Sequence, residues 1–204
     1  FQSVRRVVAG RPIAGVEALV RWTHPQLGKI PPPDIVEAAK MARASAQLHR
    51  HIVRRAIGEM SSWLTGDRPS DVFLTVNASP EDLASSHLVP NMIRAVESAG
   101  VDPRRIFVEI SEELASPNAA GVMENIEALE RAGIRMLLDD FGEGQTSLSY
   151  IHELPVAGIK LDRKLVVNAT RSETDLIVVD SILQLCRRLG LVVVAEGIET
   201  EEQL

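Results

Sequence analysis

Short apolar runs, each ending in a polar or acidic residue, alternate along this chain with longer stretches whose apolar positions recur every three or four residues. The first pattern predicts buried strands and the second amphipathic helices. Ser3 to Val8 and Ile13 to Trp22 read as two strands, and Ala9-Gly10-Arg11-Pro12 between them favours a turn, so a hairpin is expected. In a regular second strand Glu17, Leu19 and Arg21 share one face, with Ala18, Val20 and Trp22 on the other, and Leu19 and Trp22, like Met136 and Phe141 further on, are expected to pack in the core. His24 to Pro33 holds four prolines and a glycine and reads as a loop, after which Asp34 starts a helical region. Ile52, Ala56, Met60 and Trp63, with Val53, Ile57 and Leu64 beside them, form an apolar stripe expected to pack in the core.

The alternation continues to the end of the chain. Val72 to Val76 is a strand ending at Asn77, and Ser79-Pro80-Glu81-Asp82 starts a helical pattern that Gly100 closes. Ile106 to Ile110 is a strand containing Glu109. A helix from about Ala119 to Ala132 presents Met123, Ile126 and Leu129 on one face and stops at Gly133. The run from Ile134 then delivers the adjacent Asp139 and Asp140 into a glycine-containing loop. Gly158 to Leu161 carries Lys160. Ser172 to Asp175 resembles a capping box, opening a helix with Leu176, Val179, Leu183 and Cys186 on one face, and Leu191 to Ala195 is a strand ending at Glu196.

Strands separated by helices imply right-handed crossovers and a largely parallel sheet in an α/β domain, either open or closed into a barrel. Sites in such folds lie at the C-terminal ends of the strands, where Glu17, Asn77, Glu109, Asp139, Asp140, Lys160 and Glu196 are expected to gather. Polar residues distributed over every strand favour the closed form, because an open sheet holds its outer strands far apart. Residues 1–204 read as a single domain.

Charge and composition narrow what such a mouth does. A formal net charge of -6 argues against broad electrostatic binding to nucleic acid, so DNA is not an expected partner. The one cysteine, Cys186, excludes an intrachain disulfide and a cysteine zinc cluster and reads as packing. No apolar run reaches membrane-spanning length and the first residues lack signal-peptide organisation, so a soluble, cytoplasmic domain is expected. His49 and His51 lie two apart, on different faces of a helix, and His24 reads as an exposed loop residue; none is assigned a role.

Five carboxylates in one mouth repel one another and take up protons unless cations hold them. Two divalent ions and Lys160 supply five positive charges against the five negative charges of Glu17, Glu109, Asp139, Asp140 and Glu196. Oxygen ligands with an asparagine favour Mg²⁺ or Mn²⁺ over zinc. Adjacent aspartates point to opposite faces of a regular strand, so they serve one site only if the strand is ending or two ions share it.

Six motifs in order span almost the whole chain: GVEALVRW, the Asn77 strand, EISE at Glu109 to Glu112, DDFG at Asp139 to Gly142, KLDR at Lys160 to Arg163, and AEGIE at Ala195 to Glu199. With them the chain resembles the EAL domain family of cyclic di-GMP phosphodiesterases. The resemblance implies a modified TIM (β/α)8 barrel with an antiparallel first strand and hydrolysis of cyclic di-GMP to linear pGpG. It gives Glu17, Asn77, Glu109 and Asp139 to one ion, with Asp139 bridging to a second ion held by Asp140 and Glu196. Lys160 orients the attacking water, Arg21 holds a substrate phosphate oxygen, and Glu112 steadies the loop after the aspartates. A homodimer is implied, as is a sensory or GGDEF domain fused outside this sequence.

The sequence departs from the family pattern at Glu143, Gln145 and Thr146 in DFGEGQTSL, where DFGTGYSSL is usual. Lys40 stands in place of an acid, Arg43-Ala44-Ser45 replaces an apolar triplet, and the last strand of the barrel is expected beyond Leu204. The altered loop motivates an alternative, a catalytically weak or inactive domain acting as a cyclic di-GMP receptor or protein-interaction module. A barrel enzyme that abstracts a proton with Lys160 as base is a third reading, which the paired aspartates and Arg21 disfavour.

Overall fold

The computed structural model describes residues 1–8, 10, 12–65, 72–111, 121–142 and 154–204. Its main sheet has the order β1 (Gln2–Arg5), β2 (Ile13–Ala18), β5 (Phe73–Asn77), β6 (Ile106–Ser111), β7 (Arg135–Phe141), β8 (Gly158–Leu161) and β9 (Val192–Ala195). β1 pairs antiparallel with β2, and every later pair is parallel. The seven strands form a mixed sheet nearly closed into a barrel, the modified TIM barrel expected from the sequence.

The pleat divides the strand residues into two sets. Leu74 and Val76, Ile106 and Val108, Met136 and Leu138, and Ile159 and Leu161 point outward and merge with helix residues into one core. The helix side of that core comes from α2 (Ser45–Thr65), α3 (Pro80–Leu83), α4 (Leu88–Ala99), α5 (Val122–Arg131) and the helix Glu173–Leu189, through residues such as Ile57, Met92, Ile126 and Cys186, while α1 (Pro32–Met41) buries Ile35 outside it. Each fully buried side chain of this size stabilises the fold by about 2 kcal/mol. The alternate residues face the barrel interior, where the Phe73 and Phe107 rings lie 5.0 Å apart and the Arg135 guanidinium sits 5.4 Å over Phe107. Gly15 stands where any Cβ would enter the Phe73 ring.

Several local expectations are corrected. β2 ends at Ala18, and the segment read as a loop contains a second antiparallel hairpin, β3 (Trp22–His24) and β4 (Gly28–Ile30). Trp22, expected to pack in the core, is 47% exposed, its ring edge-to-face with that of His24 at 5.4 Å between centroids. His24 closes that turn, its Nδ1 accepting from the amides of Gln26 and Leu27. On α2 the buried stripe is centred on Val53, Ile57 and Leu64, leaving Trp63 at its edge and 52% exposed. The helix Glu173–Leu189 turns Ile182 and Cys186 inward, which puts Leu176 on its flank in solvent. Ser172 caps that helix by accepting from the Asp175 amide.

Other expectations hold. Gly100 and Gly190 end their helices in the left-handed conformation that glycine adopts at least cost. Ser79 and Asp82 cap α3 reciprocally, fixing the chain immediately after Asn77. Lys40, which departs from the family pattern, pairs with Glu81 at 2.6 Å, both side chains being exposed.

Candidate functional site

Strand ends carry the site residues to one point. The Lys160 ammonium, on β8, lies 2.8 Å from Glu196 Oε1, 3.0 Å from Asp139 Oδ1, 3.1 Å from Glu109 Oε2 and 3.7 Å from Glu17 Oε2. Three of those acids come from β2, β6 and β7 and the fourth from the residue just after β9, so positions 179 residues apart in sequence meet at one nitrogen. Glu196 follows the last residue of β9 but continues its ladder, since its amide donates to Leu161 O. Asn77, at the end of β5, donates from Nδ2 to Glu17 Oε1 at 3.3 Å.

Asp140 joins the group through an irregular backbone. Its φ is +53°, in the left-handed region, and the β7–β8 register shifts between Leu138 and Phe141. Asp tolerates this conformation better than most residues because its short side chain bonds locally. The twist lets consecutive aspartates serve one mouth, which a regular pleat forbids. One carboxylate oxygen from each of Asp139, Asp140 and Glu196 lies within 4.8 Å of the others. Oxygens on opposite sides of a Mg²⁺ ion stand about 4 Å apart, so this all-oxygen group fits a small divalent cation.

The electrostatics match a cation site. Burial pushes the Glu109 carboxyl up to about 7; Lys160 opposes this, while Glu17 and Asp139 add to it. For Lys160 burial works against the charge, but Glu109, Asp139, Glu196 and Glu17 together outweigh it and hold the ammonium above the ordinary lysine value. Lys160 therefore remains a hydrogen-bond donor at physiological pH.

One expected site residue makes no hydrogen bond or ion pair with this group, and another falls outside the described residues. Arg21 lies beyond the end of β2, exposed, with its guanidinium donating to Val20 O at 2.7 Å, so the shared strand face with Glu17 does not extend to it. Glu112, like Glu143, Gln145 and Thr146, lies outside the described residues. The structure also adds supports that the sequence reading did not single out. Asp162, two residues after Lys160, caps the helix Arg163–Ala169 through the Lys164 amide, and Arg163 bridges to Glu199 at 2.6 Å. The left-handed Gly197 gives the Arg163 stem room to pass, which ties the segment after Glu196 to the end of β8. A glycine immediately after the acid that ends the strand was the available signal.

Comparison with known proteins agrees with this geometry. The family model described as EAL domain matches residues 1–204. The bifunctional diguanylate cyclase/cyclic di-GMP phosphodiesterase MucR of Pseudomonas aeruginosa is 34% identical over 94% of this chain and 28% of its own length. The solved structure of the PaMucR phosphodiesterase in complex with c-di-GMP superposes with a TM-score of 0.86 at 32% identity, over 98% of this chain and 81% of that one. A calcium/cy-diGMP complex of Klebsiella pneumoniae BlrP1 gives 0.82 at 27% identity, over 98% and 50% of the two chains. This chain belongs to the EAL domain family. It spans less than a third of the length of the curated relatives it matches, at 24%, 28% and 30% of three of them.

Proposed function

We propose that this domain hydrolyses one phosphodiester bond of cyclic di-GMP, giving linear pGpG, with two Mg²⁺ or Mn²⁺ ions. The observation that carries the reading is the meeting of Glu17, Glu109, Asp139 and Glu196 at the Lys160 ammonium, with Asn77 and Asp140 beside them. In this reading Glu17, Asn77, Glu109 and Asp139 hold one ion, and Asp139, Asp140 and Glu196 hold the other. Such ions, when bound, supply Lewis acidity at the entering and leaving oxygens of a phosphodiester.

The residues of the chain do the rest. Lys160, a buried and persistently charged donor, orients the attacking water and is unsuited to act as its base. Glu196 is the carboxylate closest to that ammonium and fixes its direction. Arg21, exposed just beyond the end of β2 with its guanidinium donating to the Val20 carbonyl, exchanges that bond for a phosphate oxygen. Glu112 steadies the loop that follows the aspartates. We further infer a cytoplasmic homodimer joined, in the whole protein, to sensory or GGDEF domains.

A hydrolysis assay on wild type and Asp139→Asn, each with Mn²⁺ and with chelator, tests this. Turnover confined to wild type with Mn²⁺ is expected, and turnover in chelator contradicts it. The loop sequence DFGEGQTSL favours a second reading, a cyclic di-GMP receptor, which tight nucleotide binding without pGpG would select.

A further inference from the structure

Thr75 stands in the middle of β5, 1% exposed, and its hydroxyl has no hydrogen-bond partner among the described residues. A buried hydroxyl left unpaired carries its full desolvation cost, so its position calls for a reason. Its neighbours Leu74 and Val76 belong to the core between sheet and helices. The pleat therefore turns Thr75 the other way, into the barrel, on the face of Asn77. Across the ladder it pairs with Glu17 on β2 and Phe107 on β6, and Glu109 is the next inward position on β6. By register Thr75 stands level with Glu17 and one inward position before Asn77 and Glu109.

Lys160 currently takes Glu109 Oε2 at 3.1 Å. A cation seated among the same oxygens shares that hold, and the Glu109 oxygen turned away from the cation then needs a fixed donor to keep its orientation. We infer that Thr75 is a positioning residue for the cation site, its hydroxyl donating to Glu109 when an ion is bound. The inference rests on the two-ion reading above. Donors that orient a ligand in this way typically change metal affinity 10- to 100-fold.

Calorimetric titration of the full chain with MnCl₂, on wild type, Thr75→Val and Thr75→Ser, together with thermal melting of the metal-stripped proteins, tests it. Valine keeps the shape and removes the hydroxyl, while serine keeps the hydroxyl. Thr75→Val is expected to bind Mn²⁺ about 10-fold more weakly and Thr75→Ser to stay close to wild type. Metal-stripped Thr75→Val is expected to melt at or above wild type, because an unpaired buried hydroxyl has been removed. Wild-type affinity in Thr75→Val, an equal loss in Thr75→Ser, or a metal-stripped Thr75→Val that melts well below wild type overturns the inference alone. A wild-type chain that takes up no Mn²⁺ overturns the two-ion reading and this inference with it.

Discussion

The Lys160 ammonium lies 3.1 Å from Glu109 Oε2, and both side chains are almost wholly withdrawn from solvent, at 5% and 1% exposure. Lys160 is the positive charge against which four carboxylates stay together. Removing one partner of a buried ion pair typically costs about 3–5 kcal/mol, because the other charge is left uncompensated. Lys160→Met should lower the stability of metal-stripped protein by about 3 kcal/mol in urea unfolding, and saturating Mn²⁺ should restore part of that. A variant equally unstable with and without Mn²⁺ would show that the carboxylates do not share a cation.

A second prediction concerns pH. The Glu109 carboxyl, raised from 4.5 to about 7 chiefly by burial, keeps a proton in the folded state that the unfolded chain releases. Its contribution to stability is therefore full below about pH 4.5, falls as pH rises, and is gone above about 7. A cation competes with the same proton, so Mn²⁺ affinity should climb from pH 5 to about 7 and then level. Titrations across that range check it, and a flat affinity from pH 5 to 7 contradicts it.

Asp140 is predicted to matter twice, once for its backbone and once for its charge. Asn tolerates the left-handed region nearly as well as Asp, whereas Ala meets a steric cost of about 1–2 kcal/mol there. Asp140→Asn should therefore be more stable than Asp140→Ala by about 1 kcal/mol in chemical unfolding. Both should lose affinity at the second ion. Equal stabilities would argue that the bulge does not constrain this position.

Gly158 is predicted to admit no side chain. A Cβ there would enter the Val192 carbonyl oxygen and crowd Leu137, so Gly158→Ala must push β8 from β9. Lys160 and Glu196 sit at the ends of those two strands and are 2.8 Å apart. Overpacking of this kind costs about 1–3 kcal/mol, and the substitution should also lower turnover at saturating Mn²⁺. Unchanged turnover would show that the ends move independently of the strand bodies.

The strands, their parallel order and the gathering of acids at one mouth were legible because each strand is a short apolar run with a polar stop, and barrel closure brings the stops together. Less legible was how Asp139 and Asp140 both reach the mouth. The left-handed φ of Asp140 answers that, and no hydropathy pattern encodes it. The β3–β4 hairpin was missed because three-residue strands among prolines give no periodicity. The apolar character of Trp22 and Trp63 suggests burial, although residues at the edge of a stripe or on a small outer hairpin stay in solvent. Nothing in the sequence marks Thr75, because an isolated threonine in an apolar run is ordinary in any strand.

The claim on which these predictions depend is that the converged acids seat a pair of cations with Asp139 between them. Anomalous diffraction from crystals soaked in MnCl₂ tests it most directly. Two peaks are expected, one beside Glu17, Asn77 and Glu109, the other beside Asp140 and Glu196, with Asp139 touching both. No peak at these residues, or a single peak that Asp139 does not touch, would contradict it.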